Sequence, residues 1–128
     1  MADKFGLKIG LEGEREFKKA LADINRSFRV LGSEMKLVES QFGKNDQSLE
    51  GSAAKQRLLN KEIDAQKDKI NTLKAALENA ATSFGENDRR TDNWRIKLNE
   101  AKAALNDMER ELDESAESAD ELGDELQE

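Results

Sequence analysis

Acidic side chains at helical spacing are the residues of this 128-residue chain that come nearest to a catalytic arrangement. Glu109 and Asp113 are four residues apart, as are Glu117 and Glu121, so each pair would share one face of a helix. Two carboxylates catalyse glycoside hydrolysis only where a cleft holds them apart around the sugar. A narrow helical seam offers no such cleft, and we interpret both pairs as part of a solvated acidic face.

The residue inventory removes most other chemistry. The chain contains no His, no Cys and no Tyr. It therefore lacks the usual general base, thiol nucleophiles, zinc sites and the Glu-x-x-His motif of di-iron bundles. The sequences Gly-Lys-Asn-Asp at 43–46 and Gly-Glu-Asn-Asp at 85–88 match neither an EF-hand nor a phosphate loop. We predict no catalytic, cofactor-binding or metal-binding residue and no enzymatic activity.

The charge distribution argues against nucleic acid as a partner. The net charge is −7, and residues 85–128 hold 15 acidic and 6 basic residues. Nucleic-acid-binding domains usually carry a basic stripe instead. No apolar run approaches the roughly 20 residues of a membrane span, and the first residues show no basic segment followed by an apolar one, as a secretory signal would. We expect a soluble intracellular product whose segment makes no membrane contact.

Two similar stretches, SQFGKNDQS at 40–48 and TSFGENDRRT at 82–91, divide the chain into three helical runs. The chain has no Pro, and apolar residues recur at intervals of four and three, which predicts long helices with a heptad seam. The predicted helices cover residues 14–42, 49–84 and 89–126, with Gly13 as the first N-cap. The predicted seam consists of Phe17, Leu21, Ile24, Phe28, Leu31, Met35, Val38, Phe42, Leu59, Ile63, Ile70, Leu73, Leu77, Phe84, Trp94, Leu98, Leu105, Met108, Leu112 and Leu122.

The two junctions carry turn chemistry. A glycine after Phe is expected to end each helix in the left-handed C′ conformation, and the Asn-Asp pair then leads to an N-cap. The predicted junction residues are Gly43, Asn45, Asp46, Gly85, Asn87 and Asp88. The N-cap candidates are Asp46 or Ser48 for the second helix and Asp88 or Thr91 for the third. These signals favour an all-α fold, an antiparallel hairpin or three-helix coiled-coil bundle.

The register of the seam leaves an extended parallel coiled-coil rod as the alternative. Phe17, Leu59 and Trp94 are separated by 42 and 35 residues, both multiples of seven. The seam can therefore be counted through both junctions without a skip. The junctions themselves repeat after 42 residues, which indicates a duplicated six-heptad unit. A duplication preserves register in either fold, so this match does not choose between them.

The two ends of the chain differ from its middle. Phe5, Leu7, Ile9 and Leu11 alternate with smaller or polar residues, which predicts a short β-strand or N-terminal arm over residues 1–12. A lone strand needs a partner edge, and a disordered terminus is the alternative. Residues 107–128 hold 11 acidic residues, which oppose the helix dipole although the seam continues. We expect the chain to be the N-terminal fragment of a longer helical protein.

Several seam and near-seam residues admit two interpretations. Trp94 could anchor an interface or cap the end of the coiled-coil core. Gln56 and Gln66 could set register or oligomeric state as polar core residues do, or be tolerated by chance. Val30 and Leu37 lie outside the seam, seven residues apart, and widen the apolar face of the first helix. A partner could dock there.

A family resemblance is carried by three stretches, KFGLKIGLEGEREFKKALADINRSFRVLGSEMKLVESQFGKND, NKEIDAQKDKINTLKAALENAATSFGENDRRTDNW and AKAALNDMERELDE. Together they resemble the N-terminal region of tail tape measure proteins from long-tailed phages and prophages of Gram-positive bacteria. The resemblance covers essentially the whole chain. Its more particular parts are the alternating opening and the two Phe-Gly-x-Asn-Asp junctions.

The resemblance implies a structural role without a cofactor. It implies a helical ruler inside the tail tube that sets tail length, made in the host cytoplasm and then held in the virion tail. The implied partners are further copies of the chain, tail tube subunits and a tail assembly chaperone. Full tape measure proteins are many times longer, which places any membrane-active or lytic segment elsewhere. The alternative is a stand-alone coiled-coil adaptor or chaperone-like binding module.

Overall fold

Three long helices make up the computed structural model, which describes residues 10–43 and 48–126, without the side chains of 49 and 117–126. Helix α1 spans Leu11–Phe42, α2 spans Leu49–Phe84 and α3 spans Arg89–Leu126. No strand occurs within these described ranges. This described part of the chain is all-helical, as the heptad spacing and the absence of Pro predict.

The start of α1 corrects the predicted N-cap. Gly10, not Gly13, precedes the helix and has a φ of 78°. Its carbonyl accepts from Glu14 N–H at 2.9 Å, and its N–H donates to Ser83 Oγ at 3.1 Å. The helix begins three residues earlier than predicted, because the hydrogen bond to Ser83 at the end of α2 holds Gly10 in place. The positive φ of Gly10 is a backbone conformation that favours glycine.

The predicted N-terminal strand is partly overturned by the same feature. Leu11 and Glu12, the last two residues of the predicted 1–12 arm, belong to α1. The alternation of apolar residues did not predict a helix at Leu11 and Glu12. The hydrogen bond from Glu14 N–H to the Gly10 carbonyl includes both residues in the first turn of α1. The remainder of the predicted strand lies in residues 1–9, outside the described residues.

The helices run up, down and up. Lys69 Nζ on α2 donates to Asn25 Oδ1 on α1 at 3.3 Å, and Gln66 Nε2 on α2 donates to the Ala101 carbonyl on α3 at 2.9 Å. Gly10, before α1, contacts Ser83 near the end of α2, whereas Asn25 in the middle of α1 contacts Lys69, which is earlier in α2. Helices α1 and α2 are therefore antiparallel. The chain thus forms a helical bundle and not a single straight rod.

Helix α2 is the centre of the bundle. It packs against both α1 and α3, whereas no Cα atom of described α1 lies within 8 Å of one in described α3. The main core lies where α1 begins, α2 ends and α3 begins. Its buried members are Phe17, Leu21, Ile70, Leu73, Ala76, Ala80, Trp94, Leu98 and Ala101. Small Ala side chains on α2 and α3 let the helix axes approach.

Candidate functional site

The predicted seam residues occupy the inner surfaces of the bundle to different depths. The buried members are Phe17, Leu21, Leu31, Leu59, Ile63, Ile70, Leu73, Trp94 and Leu98. The half-buried members are Ile24, Phe28, Met35, Val38, Phe42, Leu77, Phe84, Leu105, Met108 and Leu112. The side chain of Leu122 lies outside the described residues. Most seam residues in the later parts of α1 and α3 are only half-buried. In those parts each of the two helices packs against α2 and not against the other.

The central position of α2 also buries residues that the narrow seam omitted. Leu58 is 6% exposed and Ala76 is 1% exposed, although neither was assigned to the seam. A helix between two neighbours needs two adjacent apolar rows instead of one. The pair Leu58-Leu59 was the available signal, since consecutive apolar residues widen the apolar face beyond a single seam.

Trp94 joins the starts of α1 and α3. Its indole is 3% exposed, and its Nε1–H donates to Glu14 Oε1 at 2.5 Å. Phe17 contacts it edge-on, with ring centroids 6.4 Å apart. Glu14 is itself buried and lies 3.7 Å from the Lys18 ammonium. This set holds the top of the bundle together and leaves Trp94 without an accessible face for an outside partner.

The glycines at both junctions have positive φ but not the predicted left-handed helical conformation. Gly43 has φ 85° and ψ 148°, and Gly85 has φ 102° and ψ 154°. The extended ψ turns the chain away from the helix axis at once, in a region of backbone space that is essentially restricted to glycine. Each glycine N–H still bonds back to the helix, to the carbonyls of Glu39 and Ala81 respectively.

The second junction is closed by hydrogen bonds around Gly85. Its carbonyl accepts from Thr91 Oγ1 at 2.7 Å and from Asp88 N–H at 3.3 Å. Asp88 precedes α3 and its Oδ1 accepts from Arg90 N–H at 2.8 Å, as an N-cap does. Of the two candidates, Asp88 therefore caps α3, while the buried Thr91 bonds back to the turn. Asn87 is exposed in this turn.

Charge and an aromatic ring reinforce this junction. Arg90 Nε and Nη2 donate to the two carboxylate oxygens of Asp88 at 3.0 and 3.1 Å, a bidentate pair. Hydrogen bonds from the Arg90 side chain and then its backbone hold the pKa of Asp88 below its ordinary range. The same guanidinium lies 3.5 Å from the centre of the Phe84 ring.

At the first junction, Ser48 is the N-cap of α2. Its Oγ accepts from Gly51 N–H at 3.1 Å, three residues into the helix. The other candidate, Asp46, lies outside the described residues, as does Asn45. The two repeats therefore cap their following helices at different positions, one with Ser48 and the other with Asp88.

Two glutamines cross the interface between α2 and α3. Gln66 is 3% exposed, and its Nε2 donates to the Ala101 carbonyl. Gln56 Nε2 donates to the Ser115 carbonyl at 3.1 Å. Each amide has its acceptor at one position along α3, so a slip of either helix would leave the buried amide of Gln66 and the half-buried amide of Gln56 without these acceptors. The geometry supports the register role of both residues.

An open groove separates α1 from α3 along one side of α2. It has a volume of about 680 Å³, with Leu73 in its floor and Phe28 and Met108 among its apolar walls. Lys18 and Lys97 line it from α1 and α3. These two ammonium groups are engaged within the bundle, one with Glu14 and the other 4.9 Å over the Trp94 ring.

The acidic pairs of α3 form no built site in the described residues. Glu109 and Asp113 are exposed, and the side chains of Glu117 and Glu121 lie outside the description. Across the described part of the chain, no cluster of three or more His, Cys, Asp or Glu side chains could hold a metal ion. Within the same part, no helix has the length and apolar character needed to cross a membrane.

One partly buried acidic residue does bear on stability. Glu62 on α2 is half-buried, and Glu111 lies on α3. Burial, and secondarily the negative charge of Glu111, raise the pKa of Glu62. The burial of Glu62, with the nearby negative charge of Glu111, therefore disfavours the folded state while the Glu62 carboxyl is ionised.

Apolar side chains are also exposed on the outside of the bundle. Val30 and Leu37 on α1 are 53% and 59% exposed, and Ile96 on α3 is 55% exposed.

No protein-family model, curated protein or solved structure matches the chain. Within the described residues, the bundle presents an open groove and exposed apolar side chains on α1 and α3.

Proposed function

We propose that this chain is a structural component of a phage tail, a tape-measure-type helical ruler that lies in the tail tube and sets tail length during assembly. The observation that carries this proposal is the resemblance over residues 4–46, 60–94 and 101–114. The all-helical architecture is compatible with it. An extended helix gives a length proportional to residue number, at about 1.5 Å per residue, which is what a ruler requires.

The continuous heptad register supports a change between a compact and an extended form. Phe84 and Thr91 are seven residues apart, so the heptad count passes through the turn with Asn87 at the position between them. The 38 residues of α3 span about 57 Å, whereas residues 11–126 in one straight helix would span about 170 Å. The proposed ruler uses the extended form, and the bundle is the form of a single chain.

The partners follow from the same proposal. Copies of the chain associate with one another inside a tube of tail subunits, after a tail assembly chaperone has held them in the host cytoplasm. The alternation of Phe5, Leu7 and Ile9 supports a strand that pairs with the edge of another chain on assembly. No nucleic acid, cofactor or membrane takes part in the proposed role of this segment.

Duplication of one repeat tests the ruler. A second copy of residues 43–84 would be inserted after Phe84 in the encoding phage or prophage, and tail length would be measured by electron microscopy. The 42 added residues should lengthen the tail by about 63 Å in the extended form. Deletion of 43–84 is the matched control and should shorten the tail by the same amount. Tails of unchanged length in both variants would refute the proposal.

A second candidate function is a stand-alone adaptor or chaperone-like binding module. It is favoured by one observation, that a single chain encloses its own core around Leu73 and Trp94 while Val30 and Leu37 stay exposed. The length of the open reading frame beyond Glu128 distinguishes the two candidates. A long helical continuation supports the ruler, and a stop codon directly after Glu128 supports the module.

A further inference from the structure

The outward face of α1 carries a second, narrow heptad row. Val30, Ser33, Leu37 and Ser40 follow one another at intervals of three, four and three residues. All four are exposed. Leu37 is two residues from the inward-facing Met35, which puts it about 200° around the helix at 100° per residue. The row therefore points away from α2.

The composition of this row suits another helix. Val30 and Leu37 offer branched apolar side chains, and Ser33 and Ser40 are small enough to let a second helix axis come close. Apolar rows on opposite sides of one helix are typical of a helix packed between two partners. Within a single chain, α2 covers the inner row, and both apolar members of the outer row remain more than half exposed.

Charges beside the row select the partner and its direction. Arg29 and Lys36 flank it on one side, and Glu34 and Gln41 flank it on the other. In a parallel pair of identical helices, each flank meets the opposite flank of the partner five residues along. Arg29 then faces Glu34 of the second copy. In an antiparallel pair like flanks meet, which places Arg and Lys against each other and is unfavourable.

We propose that the row formed by Val30, Ser33, Leu37 and Ser40 binds the same row of a second copy of this chain as a parallel two-helix coiled coil, aligned by Arg29–Glu34 ion pairs. This interface specifies how the self-association in the proposed function takes place. It rests on the proposed function for self-association and not for the role as a ruler. Because the pair is parallel, all copies point the same way along their common axis.

Cysteine cross-linking tests the direction of the pair, since the chain has no Cys of its own. The purified 128-residue chain with Ser40→Cys should form a disulfide-linked dimer under mild oxidation, because the two residues face each other in a parallel pair. Asn60→Cys, at an exposed position on α2, is the control and should stay monomeric. An antiparallel pair would instead link Ser40→Cys to Val30→Cys in a mixture, and that result would overturn the proposal.

Substitutions on the row test its energetics by sedimentation equilibrium. Leu37→Lys should weaken dimerisation at least tenfold, roughly the effect of losing one buried leucine contact. Ile96→Lys is the matched control, because Ile96 is similarly exposed but lies on α3, and should leave dimerisation unchanged. Neither substitution should alter helix content by circular dichroism. Equal weakening by both, or weakening by neither, contradicts the interface.

Reversing the charges of Arg29 and Glu34 tests the proposed interface independently of the proposed ruler function. Arg29→Glu and Glu34→Arg should each weaken self-association, and an equimolar mixture of the two should form heterodimers, where opposite charges meet again. Failure to form heterodimers would overturn the parallel interface. Tail length after repeat duplication is measured independently, so an intact dimer with unchanged tails would refute the ruler and not the interface.

Discussion

Replacement of Gly85 by Ala probes how the second junction folds back. Gly85 ends α2 with φ 102° and ψ 154°, a conformation that residues with a side chain rarely adopt. A methyl group added there meets no atom within 4 Å. Any loss of stability in Gly85→Ala therefore comes from the backbone and not from a clash.

Gly32 provides a matched control within the same chain. It lies inside α1, and a methyl group added there also meets no atom within 4 Å. Ala in a helix interior is favoured over Gly by about 0.5 to 1 kcal/mol. The same chemical change at two open positions is therefore expected to have opposite effects on stability.

The expected magnitude at Gly85 follows from two terms. Strain at a positive φ costs about 1 to 3 kcal/mol, and the smaller conformational freedom of unfolded Ala returns about 0.4 to 1 kcal/mol. Gly85→Ala should thus lower the free energy of unfolding by about 1 to 2 kcal/mol. Gly32→Ala should raise it, so that the two variants differ by about 2 to 3 kcal/mol.

Urea denaturation followed by far-UV circular dichroism measures this difference. The free energy of unfolding is obtained by linear extrapolation, and an unchanged slope shows that the surface exposed on unfolding is the same. A Gly85→Ala variant as stable as the parent chain would refute the assigned backbone conformation. So would a variant stabilised to the same extent as Gly32→Ala.

The double variant Gly43→Ala, Gly85→Ala extends the test to the shape of the chain. Both glycines have positive φ in the bundle, a conformation that a continuous helix does not use. The double change should therefore favour the straight form, with particles longer than about 120 Å in small-angle scattering against roughly 57 Å for the longest helix. Unchanged dimensions would contradict the proposed opening of the junctions.

Two further variants test contacts between the helices. Glu62→Gln should stabilise the bundle near neutral pH, because it removes the cost of burying an ionised carboxylate and, secondarily, the repulsion from Glu111. Because the folded-state pKa of Glu62 is raised, its ionisation removes stability as pH rises through that pKa, so the gain should vanish in acid. Urea titrations at several pH values would show this convergence. Trp94→Phe should cost about 1 to 3 kcal/mol, since buried Glu14 loses its indole donor. Adding Glu14→Leu should recover part of the loss, and no recovery would argue against that hydrogen bond.

Local signals in the sequence predicted the helices well. The intervals of four and three residues and the absence of Pro predicted three long helices, and Phe-Gly predicted two of their ends. Ser48 and Asp88 were both candidates for N-caps, and each accepts a backbone hydrogen bond in the first turn. Such signals depend on residues within about one turn of each other, which is why sequence alone suffices.

Distant contacts explain where the prediction was wrong. Gly13 was a reasonable N-cap, but a hydrogen bond to Ser83, 73 residues away, fixes Gly10 instead. The narrow seam omitted Leu58 because a seam assumes one neighbour for each helix, and α2 has two. The sequence leaves Trp94 open to two interpretations, and its contacts with Glu14 and Phe17 in the fold decide for the core.

The heptad pattern by itself determined which face of each helix is apolar, and the Phe-Gly pairs with the N-cap candidates after them determined where the turns lie. It did not determine which helix covers that face, because the register through Gly43 and Gly85 is the same in a straight rod and in a folded bundle. Only the tertiary structure decided between them. In the tertiary structure, α1 and α3 both pack against α2, which runs in the opposite direction. Hydrogen bonds from Thr91 and Arg90 close the second turn. The physical reason is that burial depends on the removal of water from an apolar face and is indifferent to which segment of the chain removes it.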